Sequence, residues 1–139
     1  MRDVYVWTLG VVLACSSDIA LAQRAQRAES SCYKRPSHVE AIRCLERHAQ
    51  HAAAALNLAE KTLRSAVANR DQEQSERERE LAAFDNSAAR FREYRELQCT
   101  FVASLAAGGN AAIDRKLLCE IELNHARAAD LARDNPHGV

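Results

Sequence analysis

Apolar residues recur at helical intervals in three stretches of the chain, which follow Ser37, Arg77 and Asn110. Within each stretch the apolar side chains are three or four residues apart, so they fall on one face of an amphipathic helix. The predicted core positions are Val39, Ile42, Leu45, Ala52, Leu56, Leu63 and Val67, then Leu81, Phe84, Ala88, Phe91, either Tyr94 or Arg95, Val102 and Leu105, and finally Ile113, Leu117, Ile121, Asn124, Ala128 and Leu131. The pattern predicts an all-α fold, an antiparallel three-helix bundle.

The first helix has a clear start, and its end must be inferred from length. Ser37 and Glu40 form a capping box. Residues 71–80 contain no apolar side chain. Without a break, the first two helices would form a rod of about 100 Å at 1.5 Å per residue, too long for a small domain to cover. We therefore expect a bend between Asn69 and Ser75, and Ser75 with Glu78 offers a second capping box.

The turn between the second and third helices is marked by glycine. Gly108 and Gly109 stop the second helix, and Asn110 is a suitable cap for the third. If the two helices are antiparallel, residues equally far from Gly109 lie level with each other. Tyr94 would then meet Asn124 through a hydrogen bond, and Arg127 would lie over the ring of Phe91.

The first 22 residues have the features of a secretory signal. Arg2 precedes an apolar run, Val4–Cys15, and Ala20-Leu21-Ala22 is a cleavage site before Gln23. In an alternative interpretation Val12–Cys15 is a lipobox, Cys15 carries the lipid, and the protein is anchored to a membrane. We divide the chain into a signal peptide (1–22), a flexible N-terminal segment (23–36), a helical domain (37–134) and a tail (135–139).

The cysteines indicate an oxidising compartment. Cys15 belongs to the leader, and the four that remain are an even number in an exported chain. Four cysteines allow three pairings. Cys32–Cys44 with Cys99–Cys119 is the pairing in which each disulfide closes over its own turn, the second across a helical hairpin. The prediction is a bundle stapled by these two disulfides.

Charge and residue chemistry argue against several functions. The net charge is zero for the whole chain and about +1 without the leader, so we expect no nucleic-acid partner. Cys44, His48 and His51 are one turn apart and could suggest zinc, but we interpret them as a disulfide beside a solvated histidine pair. We predict no metal and no cofactor. No Ser/His/Asp array, phosphate loop or carboxylate pair is present, so we predict that the protein is not an enzyme.

The hairpin resembles the LprI-like lysozyme-inhibitor family, a group of small exported bacterial proteins. The matching positions are Leu56, Asn57, Tyr94, Arg95, Cys99, Gly108, Gly109, Cys119, Arg127 and Leu131. The departures are Ala88 for glutamine, Phe91 for tryptophan, Glu96 for aspartate, Asn110 for serine and Asn124 for threonine. The resemblance covers nearly all of the chain after the leader.

The resemblance implies a binding protein of the periplasm or cell envelope whose protein partner is a lysozyme. Such an inhibitor must occlude a cleft that works with two carboxylates. The candidate binding residues are Tyr94, Arg95, Glu96 and Arg127. The alternative is a structural or accessory binding protein of the envelope that does not act on lysozyme, with membrane contact only if Cys15 is lipidated.

Overall fold

The computed structural model describes residues 25–135, which form four helices and no strand. They are α1 (residues 25–32), α2 (His38–Ala68), α3 (Gln74–Ser104) and α4 (Gly109–Arg133). The all-α prediction is confirmed, and the bundle has one short helix more than expected. None of the helices in the described residues has the length and apolar character needed to cross a bilayer. The predicted leader, its cleavage site and Cys15 lie outside these residues.

The short helix α1 corrects the prediction of a flexible segment before Pro36. Residues 25–32 fold back along α2, and Ala28 packs against Ala52 of α2 and Ile121 of α4. Cys32 is fully buried. The apolar positions of α1 are all small, so the segment shows no large hydrophobic residue to reveal its period. Its stability comes from close packing of small side chains and from its disulfide.

The start of α2 follows the predicted cap. Ser37 has an extended backbone, and its hydroxyl oxygen accepts a hydrogen bond of 3.3 Å from the backbone N–H of Glu40. This bond satisfies one of the orphan amides of the first turn.

The connection between α2 and α3, residues 69–73, lies within the predicted bend. Arg70 forms an ion pair of 3.1 Å with Glu80, and the guanidinium of Arg77 donates to the backbone carbonyl of Arg70. Because α3 begins at Gln74 with Glu73 as its cap, the Ser75–Glu78 capping box is not formed at the helix start. The bend is held by side-chain hydrogen bonds, and this explains the absence of glycine and proline.

The turn between α3 and α4 reverses the chain through three successive residues with positive φ. These are Ala107 (53°), Gly108 (93°) and Gly109 (68°). Glycine adopts this region without steric cost. The prediction that Asn110 caps the last helix is wrong, because α4 begins at Gly109 with Gly108 in the cap position. The left-handed backbone completes the turn before Asn110 is reached.

The core lies mainly between α2 and α4, with α3 packed against α4 and more sparsely against α2. α3 runs antiparallel to both neighbours. Glu60–Arg92 and Arg64–Asp85 show this for α2, and Cys99–Cys119 and Phe91–Arg127 show it for α4. Three buried clusters follow one another along the bundle. They comprise Leu56, Leu63, Val67 and Leu131, then Ala28, Ala52 and Ile121, and finally Cys32, Cys44 and Leu45.

Three positions predicted for the core are exposed, namely Val39, Leu105 and Ile113. The imidazole of His38, the first residue of α2, contacts Asp114 of α4. The end of the α3–α4 hairpin therefore extends past the start of α2, and no third helix within residues 25–135 covers it. The helical spacing predicts that Leu105 and Ile113 face the core, but no helix of residues 25–135 packs against them.

Candidate functional site

Two disulfides hold the molecule together, and both have the predicted pairing. Cys32 is bonded to Cys44 and Cys99 to Cys119, with Cα atoms 5.5 Å apart in each. The second disulfide joins α3 to α4 five residues before the turn begins, and Cys99 is completely buried. It keeps the two helices level and fixes the width of the hairpin.

The spacing about Gly109 predicted two contacts across the hairpin, and one of them is present. The guanidinium carbon of Arg127 lies 5.8 Å from the centre of the Phe91 ring, which is within cation–π range. Arg127 also donates a hydrogen bond of 2.7 Å to the hydroxyl of Ser87. Arg127 is therefore engaged inside the hairpin.

The second predicted contact, between Tyr94 and Asn124, is not formed, because Asn124 bonds to a different residue of α3. Asn124 is buried, and its side-chain oxygen accepts a hydrogen bond of 2.7 Å from Arg95 instead of Tyr94. Successive helical residues are rotated by about 100°, so Arg95 faces α4 while Tyr94 points outward. The tyrosine side chain is left on the surface.

Glu96 is part of a surface ion pair with Lys116 of α4, at 2.7 Å. The hydrogen bond from Lys116 holds the pKa of the Glu96 carboxyl below its ordinary value, and the same bond raises the pKa of Lys116. Exposed pairs of this kind contribute little to stability. Three of the four candidate binding residues, Arg95, Glu96 and Arg127, thus have partners within the hairpin, and Tyr94 has none among the described residues.

A groove runs along the hairpin beside Tyr94, with a volume of about 410 Å³. Tyr94 and Gln98 of α3 lie on one side, Arg115 and Glu122 of α4 lie on the other, and Cys119 forms part of the lining. The disulfide therefore sets the spacing of the two walls. Sequence reasoning missed Arg115, whose guanidinium is exposed and forms no ion pair within the described part of the chain.

Four large side chains form an exposed apolar strip on the outer face of α3, which we call the α3 ridge. Tyr94, Leu97, Phe101 and Leu105 are 52%, 66%, 57% and 61% exposed. They follow one another at intervals of three or four residues, so they are neighbours on one helix face. Contiguous exposed apolar surface of this size usually marks an interaction site. The spacing of these residues is visible in the sequence, but the same helical pattern predicts that Leu105 faces the core.

A buried carboxylate joins three segments at the other side of the hairpin. Asp114 accepts hydrogen bonds from the Tyr33 hydroxyl at 2.7 Å and from His38 Nε2 at 3.1 Å. Tyr33 follows α1, His38 begins α2 and Asp114 lies in α4. Burial of the hydroxyl, together with the Asp114 bond, raises the pKa of Tyr33 far above its ordinary value of 10.0.

Alkaline titration should detect this contact. Because the folded-state pKa is raised, the contribution of Tyr33 to stability is complete below pH 10.0 and is lost as the pH rises above that value. In a Tyr94→Phe variant that begins at Gln23, Tyr33 is the single tyrosine. Its ionisation, followed by ultraviolet absorbance, should occur well above pH 10.0. Adding Asp114→Asn should move the midpoint down towards 10.0, and an unchanged midpoint would contradict the assignment.

The cluster of Cys32, Cys44 and His48 brings three potential metal-ligand atoms within 4.8 Å of one another. The two sulfurs are bonded to each other, and a metal-binding cysteine must be a thiolate. In the oxidised protein the imidazole of His48 is therefore the one metal ligand that this cluster offers.

A family model described as lysozyme inhibitor LprI matches residues 28–131, which include α2, α3, both disulfides and nearly all of α4. A comparison with curated proteins and a comparison with solved structures each found no match. Since the family match covers most of the chain, the protein belongs to the LprI family of lysozyme inhibitors.

Proposed function

We propose that the protein is an exported binding module that inhibits a lysozyme by occluding its cleft. The observation that carries the proposal is the exposed apolar surface around Tyr94, on a chain that matches the lysozyme-inhibitor family over residues 28–131. The protein acts by binding.

The architecture suits an inhibitor that works by steric exclusion. Lysozyme cleaves its glycan with a pair of carboxyl groups in an open cleft, and the glycan cannot enter when a rigid protein fills that space. The hairpin is rigid because Cys99–Cys119 bonds its helices together and Arg95 bonds to buried Asn124. A preorganised surface loses little conformational entropy on binding.

The four candidate residues divide into two roles in this proposal. Tyr94 contacts the partner, since it is half exposed and lies beside the groove. Arg95 and Arg127 position the hairpin, because they bond to Asn124 and Ser87. Glu96 supports the same hairpin through Lys116. The proposal thus moves the contact from the arginines to the tyrosine.

Export is supported by the two disulfides, because such bonds form and persist in oxidising compartments. We propose that residues 1–22 direct the chain to the periplasm or cell envelope and are removed before Gln23. Lipid attachment at Cys15 would keep the same domain outside the cytoplasm on a membrane anchor.

The test is lysozyme activity with and without the oxidised chain that begins at Gln23. We expect inhibition that saturates at a defined stoichiometry and weakens by about tenfold in Tyr94→Ala, as for an aromatic contact at an interface centre. Glu78→Ala is the control, because this exposed residue lies in α3 near the opposite end of the hairpin. No inhibition of any lysozyme type by a large excess of folded protein would overturn the proposal and favour an accessory binding role in the envelope.

A further inference from the structure

The end of the α3–α4 hairpin is a 17-residue stretch without a charged side chain, from Leu97 to Ile113. It is the longest uncharged stretch after the leader. A surface helix normally presents charged residues to water on its outer face. Here the outer face carries Leu97, Phe101 and Leu105, and Ile113 of α4 is exposed as well.

This apolar end has a fixed shape. The Cys99–Cys119 disulfide crosses the hairpin within the uncharged stretch on the α3 side, and the positive-φ turn closes it beyond Leu105. The hairpin end also extends past the start of α2, and its large apolar side chains Leu105 and Ile113 are exposed there. A rigid end that projects from a bundle fits a partner with a concave surface.

The charge pattern specifies the partner further. The first charge after the uncharged stretch is Asp114, which is buried and bonded to Tyr33 and His38. The next is Arg115, which is exposed on the groove beside the ridge. The nearby Glu96 is neutralised by Lys116. The exposed charge nearest the uncharged stretch on α4 is therefore a cation with a planar, carboxylate-binding head.

We propose that the hairpin end is a plug that inserts into the partner's cleft, with the α3 ridge against an apolar wall and Arg115 directed at the cleft's carboxylates. The inference rests on the proposed function and identifies the surface that performs it. Apolar contact supplies most of the affinity, and Arg115 orients the plug towards the acidic floor.

A second copy of the chain fits the ridge less well than a cleft does. Two copies would bring two ridges together, and four side chains of this size present on the order of 500 Å² per copy. A pair would bury on the order of 1,000 Å², at the low end of what stable interfaces bury. A cleft that encloses the hairpin on two sides can cover the ridge and the groove together.

The experiment compares two matched double variants in the lysozyme assay. Leu97→Ser with Phe101→Ser alters the ridge. Val39→Ser with Leu58→Ser alters α2 at positions of nearly the same exposure, 60% and 65% against 57% and 66%. The plug predicts an inhibition constant raised by roughly tenfold or more for the ridge pair and by less than about threefold for the α2 pair. Circular dichroism melting verifies that both fold.

Arg115 is tested by reversing its charge. Arg115→Glu is expected to raise the inhibition constant by at least about tenfold, because a carboxylate would face carboxylates in the cleft. Arg115→Lys should recover part of the loss, since it keeps the charge without the planar head. Equal inhibition by Arg115→Glu and the wild type would overturn the role of this residue.

The outcomes separate this inference from the proposed function. If the wild type inhibits and the ridge pair inhibits equally, the plug is overturned and the inhibitor function remains. If the wild type inhibits no lysozyme, both are overturned. Sedimentation and binding to phosphatidylglycerol vesicles complete the test. Ridge-dependent dimerisation, or ridge-dependent vesicle binding, with inhibition unchanged in the ridge pair would also overturn the plug.

Discussion

Replacing Cys99 and Cys119 together by alanine is expected to lower the free energy of unfolding by about 3 kcal/mol. The disulfide closes a loop with a sequence separation of 20 and removes that much conformational freedom from the unfolded chain. The loss of stability should affect α3 most, because Ala88 and Cys99 are the buried residues of this helix. A small domain has a total stability of about 5–15 kcal/mol, so this one disulfide supplies a large share.

Urea unfolding of the double variant, followed by far-ultraviolet circular dichroism, measures this effect. Cys32→Ala with Cys44→Ala serves as the comparison, because it opens a shorter loop with a sequence separation of 12 at the other side of the bundle. We expect the Cys99–Cys119 variant to lose inhibition more than the comparison at equal folded fraction, since the hairpin carries the proposed contact surface. A loss of stability below about 1 kcal/mol would show that packing alone fixes the hairpin.

Replacing Leu56 by alanine is expected to destabilise the protein by about 2–5 kcal/mol. Leu56 is almost completely buried in a cluster with Leu63, Val67 and Leu131, against which Phe84 and Phe91 also pack. Truncation removes three carbons from this cluster and leaves a cavity, because helices held by packing and disulfides relax little. The cluster is where α2, α3 and α4 meet, so all three helices lose contacts.

Leu58→Ala is the matched control for this prediction. It is the same substitution two residues further along the same helix, at a side chain that is mostly exposed. Its effect should be within about 0.5 kcal/mol of zero. Denaturant midpoints of the two variants, measured side by side, provide the comparison. Similar losses for both leucines would mean that the inner face of α2 is assigned wrongly.

The sequence was most informative where a large apolar residue or a cysteine marked the structure. The period of Leu45, Leu56 and Leu63 located the inner face of α2, and these residues are buried. Symmetry about the glycine turn located Cys99–Cys119 and the contact between Arg127 and Phe91. These features depend on residue spacing along a helix, which can be read directly from the sequence.

Other features depend on what lies opposite a residue, and spacing does not contain that information. Helix α1 was missed because its packing residues are small. The spacing predicted that Tyr94 bonds to Asn124, but Arg95 does so. Adjacent helical residues point in different directions, and the spacing does not decide which of the two faces Asn124. The helical spacing of Leu105 predicts a core position, although no helix in the part of the chain that the structure describes covers the end of the hairpin. The exposed α3 ridge therefore required the arrangement of all the helices.

The pairing of the cysteines has a consequence for how the protein matures. The first framework cysteine is bonded to the second and the third to the fourth, so neither disulfide crosses the other along the chain. A chain that enters an oxidising compartment from its N-terminus exposes Cys32 and Cys44 before Cys99 and Cys119. An oxidase that joins thiols in their order of emergence would thus produce the native connectivity directly. Such an oxidation would need no reshuffling by an isomerase.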